Sequence, residues 1–261
     1  MSALWRLRAL AVLAAAAWLG PIVPSVVAQP APLVVSVASS LTDVMTNLAA
    51  HWEETGKGAV RVNAAGSQTL ARQIVEGARV DVFVSADEAQ MDAVERAGRL
   101  VAGTRQPLLA NQLVVIVARD ARNRPSSAAD LAGPAVRRLA MGQPDSVPAG
   151  VYGRQWLERA GLWARIKAKV VPLPTVRAAL AAAREGRADA AIVYATDARS
   201  SQDVEVAFPV PEREAPAIVY PVAVVAGARE AEARRFVRGL QDGYARQVFE
   251  AAGFGVLVAG R

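Results

Sequence analysis

Short runs of aliphatic and β-branched residues alternate along the chain with longer stretches in which apolar positions recur every three or four residues. That alternation predicts an α/β protein built around mostly parallel sheets. Leu33 to Ala38 reads as the first strand, followed at once by Ser39-Ser40 and a helix with Val44, Leu48 and Trp52 on one face. Arg61 to Ala64 reads as a second strand, Gly66-Ser67 as a turn, and Leu70 and Ile74 as the buried stripe of a second helix. Val80 to Val84 is a third strand, and Ala86-Asp87 opens a helix through Met91 and Val94 that stops at Gly98.

The pattern then changes character. Leu113 to Ala118 is a strongly apolar strand and Arg138 to Met141 a shorter one, after which Pro148-Ala149-Gly150 leads into a helix bearing Tyr152, Trp156 and Leu157. Val170-Val171 precedes two prolines, and Thr175 is placed to cap an alanine-rich helix from Val176 to Arg184. Ala190 to Val193 is a buried strand that delivers Tyr194 at its end. Ile218 to Val225 is a long strand broken by Pro221, which predicts a bend or an edge position, and two helices follow from Ala231 to Gly239 and from Asp242 to Ala252. Trp156, Trp163 and Phe83 read as core. Chain crossings expected at Ala110 to Leu113 and at Tyr220 to Val222 divide the chain into two lobes. Lobe one is discontinuous, residues 30–112 and 221–261, and lobe two takes residues 113–220.

The first residues have a different pattern. Arg6 and Arg8 precede an apolar run from Ala9 to Leu19, a Gly20-Pro21 break and a small residue at Ala28. This is the form of a secretory signal peptide, residues 1–28, with cleavage near Ala28 and export to the periplasm. The 261-residue chain contains no cysteine, hence no disulfide, no thiolate metal site and no thiol for lipid attachment. At 53% hydrophobic residues it can form two cored lobes. The formal charge of +6 falls to +4 once Arg6 and Arg8 leave with the signal peptide, and no block of five like charges occurs. A nucleic-acid partner is therefore not expected.

Enzyme chemistry is poorly provided for. His51 is the only histidine, so a serine hydrolase built on Ser40 or Ser67 would have to use it as base. No phosphate-binding glycine loop, calcium loop or dinucleotide fingerprint is present. Instead, Val37 to Thr42, Ala65 to Thr69 and Val147 to Gly150 form uncharged strand-to-helix junctions. Such junctions present backbone N–H groups, and some hydroxyls, at the positive ends of helices, where an oxyanion needs no cationic partner. Taken singly, Ser40, Ser67 and Thr175 read equally well as helix caps, and Tyr194 as a core tyrosine. Taken together, the junctions favour a shared pocket.

The same segments carry a family resemblance. Ala38-Ser39-Ser40-Leu41-Thr42-Asp43, Gly66 to Ile74, Asp81 to Asp87, Val147 to Tyr152, Val176 to Leu180, Ile192-Val193-Tyr194 and Tyr220 to Val225 resemble the periplasmic molybdate-binding proteins of ABC transporters over essentially the whole exported chain. The resemblance implies a type II periplasmic-binding-protein fold, two α/β lobes on a two-strand hinge. It also implies a monomer that binds molybdate or tungstate, needs no cofactor and delivers its anion to a membrane permease. Molybdenum would enter only as the oxyanion. Carried over by motif, the ligand set is a hydroxyl and amide at Ser40, a second pair at Ser67, the amides of Ala149 and Val176, and the phenol of Tyr194. Arg177, beside the Val176 amide, is expected to turn to solvent or to a carboxylate such as Asp197. The alternatives are a receptor for another oxyanion such as sulfate and, further off, the secreted serine hydrolase.

Overall fold

The computed structural model describes residues 31–257, so the expected signal peptide lies outside the described residues. From Pro32 onward the chain forms one compact unit containing two sheets. β1 (Leu33–Ala38) runs through a 3-10 turn at Ser39–Leu41 into α1 (Thr42–Glu54). β2 (Val60–Ala65), α2 (Ser67–Val75), β3 (Val82–Val84) and α3 (Glu88–Arg96) follow, then β4 (Gln106–Asn111). The chain crosses at Gln112 into β5 (Leu113–Ala118), continuing with α4 (Ala128–Leu131), β6 (Leu139–Gly142), α5 (Pro148–Arg159), α6 (Trp163–Ile166) and β7 (Val170–Leu173). α7 (Val176–Arg184), β8 (Ala190–Tyr194), α8 (Ala195–Arg199) and β9 (Val204–Pro209) complete that half. β10 (Ile218–Val224), α9 (Glu230–Gly239), α10 (Gly243–Ala251) and β11 (Gly255–Val256) return to the first.

The first sheet has the order β11-β4-β10-β3-β1-β2 and the second β7-β6-β8-β5-β9. Both are mixed. β1 pairs in parallel with β2 and β3, and β6 with β7 and β8, while the remaining neighbours are antiparallel. The parallel halves are the βαβ units that the alternating pattern predicts. The antiparallel strands β4, β5 and β10 are those that carry the chain toward and away from the crossings. β5 and β8 are buried almost throughout, as strands covered on both faces must be. Phe83, Trp156 and Tyr220 lie in the interior, whereas Trp163, expected in the core, is only partly buried and packs under the Arg154 guanidinium.

Three differences from the sequence reading have local causes. Ile218, Val219 and Tyr220, assigned to lobe two, pair with Asn111, Ala110 and Leu109 in the first sheet, so the return crossing precedes Ile218. Pro221 sits in an interior strand and not at an edge, and the alternative expectation of a bend agrees with the register shift between Tyr220 and Pro221 that accommodates its missing N–H. β4 and β9 do not stand out in sequence, because Pro107 interrupts one and Glu205 the other.

The junction between β6 and α5 is built on close backbone approach. A Cβ on Gly150 would lie 2.1 Å from the Gly142 carbonyl oxygen, and one on Gly142 would lie 2.5 Å from Val147 Cγ1. Glycine at both positions lets the start of α5 press against the end of β6. We expect Gly150→Ala to destabilise the fold by roughly 1–3 kcal/mol, as overpacking of a tight interior does, which a thermal melt would register as a drop of several degrees. An unchanged melting temperature would show that this contact relaxes at no cost.

Candidate functional site

Four helical starts and one strand end meet between the two sheets. Parallel pairing aligns Ala38 with Ala65 and Gly142 with Leu173, so the chain leaves β1 and β2 side by side, and β6 and β7 likewise. At the first exit, Ala38 precedes the 3-10 turn and supplies no side-chain cap, leaving the Ser39 and Ser40 amides at its start. At the second, Gly66 is the N-cap of α2, and its carbonyl accepts from the Thr69 and Leu70 amides at 2.9 and 3.1 Å. Ser67 and Gln68 are thereby left with amides that their own helix cannot satisfy.

The exits from β6 and β7 follow the same logic. Pro148 occupies the first position of α5, where its lack of an N–H costs nothing, and the Ala149 amide comes next. Thr175 caps α7, its hydroxyl accepting from the Ala178 amide at 3.1 Å, and Val176 is the first helical residue. Tyr194 ends β8.

Ser40, Ser67, Ala149, Val176 and Tyr194 all line one small cavity of about 10 Å³. Every other lining residue is also uncharged. The Tyr194 hydroxyl is fully buried and has no hydrogen-bond partner among the described residues. Burial holds this phenol, like that of Tyr220, well above its usual range, so both remain protonated donors.

The serines do not cap helices. Ser67 Oγ accepts from the Ala86 amide at 3.0 Å, which leaves its proton to point elsewhere. Ser40 Oγ lies 3.0 Å from the Tyr220 hydroxyl. Of the three residues that read as caps, only Thr175 acts as one. Neither serine is partnered by an imidazole, since His51 stacks on Tyr244 with ring centroids 3.7 Å apart.

Arg177 turns to carboxylates. It reaches Asp43 at 2.7 Å and Asp197 at 3.0 Å, and donates to Ser200 Oγ at 3.1 Å. Because Asp43 lies on α1 and Arg177 on α7, this ion pair spans the cleft. The Gln68 side chain also spans it, donating to the Pro174 carbonyl at 3.2 Å. Sequence reasoning did not single out Gln68, nor Ala86 and Asn111 as supports of the serines. Ala86 and Tyr220 do fall within segments that carry the family resemblance, but nothing in the sequence marks Asn111.

Two buried carboxyls flank the site. Asp197 is fully enclosed, and burial pushes it up to about 6 against the opposing influence of Arg177. Burial likewise pushes Asp87 up to about 6, opposed by the Gln90 amide and the Ser85 hydroxyl. Against an ordinary value of 3.8, the folded state holds protons that the unfolded chain has released, so stability must fall as pH rises through this window. The expected result is a melting temperature that declines between about pH 4 and 6.5, with part of the decline removed in Asp87→Asn or Asp197→Asn. A flat profile in the wild type would contradict the assignment.

The chain is similar to known proteins over most of its length. The profile of the bacterial extracellular solute-binding proteins matches residues 33–255. The molybdate-binding protein ModA of Escherichia coli (strain K12) is 35% identical over 231 residues, which cover 85% of this chain and 88% of that protein. Its counterpart of the same name in Haemophilus influenzae is 34% identical over 231 residues, 87% of this chain and 91% of that protein. Among solved structures, the periplasmic molybdate-binding protein of Azotobacter vinelandii superposes with a TM-score of 0.77 at 25% identity, covering 88% of this chain and 100% of that one. With its two α/β sheets, two chain crossings and uncharged cleft, this chain belongs to the family of bacterial extracellular solute-binding proteins.

Proposed function

We propose that the protein binds molybdate, and tungstate with it, in the cleft between its lobes and delivers the anion to the membrane permease of an ABC importer. The observation that carries this reading is the Tyr194 hydroxyl, a buried donor with no hydrogen-bond partner among the described residues, on a side chain that lines a cavity together with helix starts and two serines. A buried O–H left unmatched is costly, whereas an oxyanion supplies its acceptor. Relatives named for molybdate binding, at 34–35% identity over most of the chain, support the choice of anion.

In this reading Ser40 and Ser67 hold the anion from one lobe, and Ala149, Val176 and Tyr194 hold it from the other. Each hydrogen bond to a charged group contributes about 1.5–3 kcal/mol. About six of them leave micromolar or tighter affinity after the costs of association. Because donors come from both lobes, occupancy favours the closed form, and the closed, loaded form is what the permease recognises. Selectivity over sulfate follows from size, since a rigid ring of donors fits one metal–oxygen bond length well. Selectivity over phosphate follows from protonation, because a ring that only donates has nothing to accept a proton from the ligand. The protein performs no chemistry on its ligand. It acts as a monomer in the periplasm after loss of its signal peptide near Ala28.

Calorimetric titration of the exported form tests this directly. Molybdate and tungstate should bind tightly with one-to-one stoichiometry, and sulfate and phosphate far more weakly. Silence toward all four would overturn the oxyanion reading, and a preference for sulfate would move the assignment to a sulfate receptor. Tyr194→Phe should weaken molybdate binding by about 10- to 150-fold, the equivalent of one charge-assisted hydrogen bond. Without ligand its melting temperature should match or exceed that of the wild type, because the hydroxyl removed has no partner among the described residues.

A further inference from the structure

The Ser40 hydroxyl lies at the end of a chain of hydrogen bonds that begins at the crossing between the two sheets. Asn111, the last residue of β4, accepts the Gln112 amide on Oδ1 at 2.9 Å. That contact fixes which way its carboxamide faces, because a backbone N–H can be matched only by the oxygen. The Asn111 NH₂ group then donates to Tyr220 Oη at 3.2 Å and to Thr196 Oγ1 at 2.9 Å. Tyr220 is completely buried, and among the described residues the only atom placed to take its phenolic proton is Ser40 Oγ at 3.0 Å. With one of its lone pairs occupied by Tyr220, Ser40 has its own proton left for the cavity that it lines.

We infer that Asn111 is a positioning residue for the anion site. Through Tyr220 it sets the polarity of Ser40, so that this serine turns its proton toward the ligand. The inference rests on the oxyanion reading above. It explains why a carboxamide stands at the crossing where any small polar residue would satisfy the Gln112 amide. It also ties the donor character of the pocket to the segment joining the two sheets.

Asn111→Asp reverses the chain. A carboxylate still accepts the Gln112 amide but can only accept from Tyr220, whose hydroxyl must then turn away from Ser40. Ser40 in turn donates to Tyr220 and presents its lone pairs to the ligand. Molybdate titration should therefore show a loss of about 30-fold or more in Asn111→Asp, the scale of one charge-assisted hydrogen bond replaced by a repulsive contact. Tyr220→Phe alone should weaken binding only a few-fold, because Ser40 keeps its proton. Adding Tyr220→Phe to Asn111→Asp cuts the chain and should restore about tenfold or more of the lost affinity. Recovery by a second substitution is something that plain charge repulsion or misfolding does not produce. If the double variant binds no better than Asn111→Asp, or if Asn111→Asp binds within about threefold of the wild type, the inference is overturned. Should Asn111→Asp fail to fold, Asn111→Ala takes its place. The expected result is then a double variant with Tyr220→Phe that binds no more weakly than Tyr220→Phe alone, and additive losses would overturn the inference. A wild type silent toward molybdate, tungstate and sulfate would instead overturn the functional reading itself, which separates the two failures.

Discussion

The first amides of a helix have no acceptor within it, and the structure of this protein turns on where those amides are sent. Parallel strands that each run into a helix leave their unsatisfied N–H groups at the carboxyl edge of the sheet, the edge at which open α/β folds bind ligands. Here two such edges face one another. The exits from β1 and β2 oppose those from β6 and β7, and the pairings of Ala38 with Ala65 and Gly142 with Leu173 hold neighbouring helix starts adjacent. The glycines at 142 and 150 serve the same end, since a Cβ at either would push α5 away from the strand that aims it.

Neutrality of the lining follows from this use of the backbone. Partial charges fixed in the scaffold attract an anion without a mobile cation that would attract any anion indiscriminately. The arginine nearest the site is occupied elsewhere. Arg177 is held between Asp43 and the buried Asp197, so its charge spans the cleft as an ion pair. Each serine hydroxyl at the cavity has a polar neighbour: Ser67 accepts from the Ala86 amide, and Ser40 lies against Tyr220, with Asn111 behind it.

Much of the fold was legible because its signals are local. The apolar run of Leu33 to Ala38, interrupted only by Ser36, marks a strand buried on both faces, and the spacing of Val44, Leu48 and Trp52 marks one face of α1. Pro148 after Val147 and Thr175 before Val176 mark helix starts through the requirements of the first turn. β4 and β9 escaped notice because they owe their conformation to neighbouring strands more than to composition. The serines at 40 and 67 read as caps because a serine near a helix start has the same local appearance whether it bonds its own helix or a distant amide.

The sequence by itself determined the α/β class, the order of most elements and the uncharged character of the junctions. Tertiary structure decided the sheet to which Ile218 to Tyr220 belong, the partners of Arg177 and those of the Ser40 and Ser67 hydroxyls. The physical reason is separation along the chain. Ser40 meets Tyr220 across 180 positions and Asn111 meets Tyr220 across 109, and such contacts depend on strand register and side-chain direction, which no run of neighbouring residues encodes.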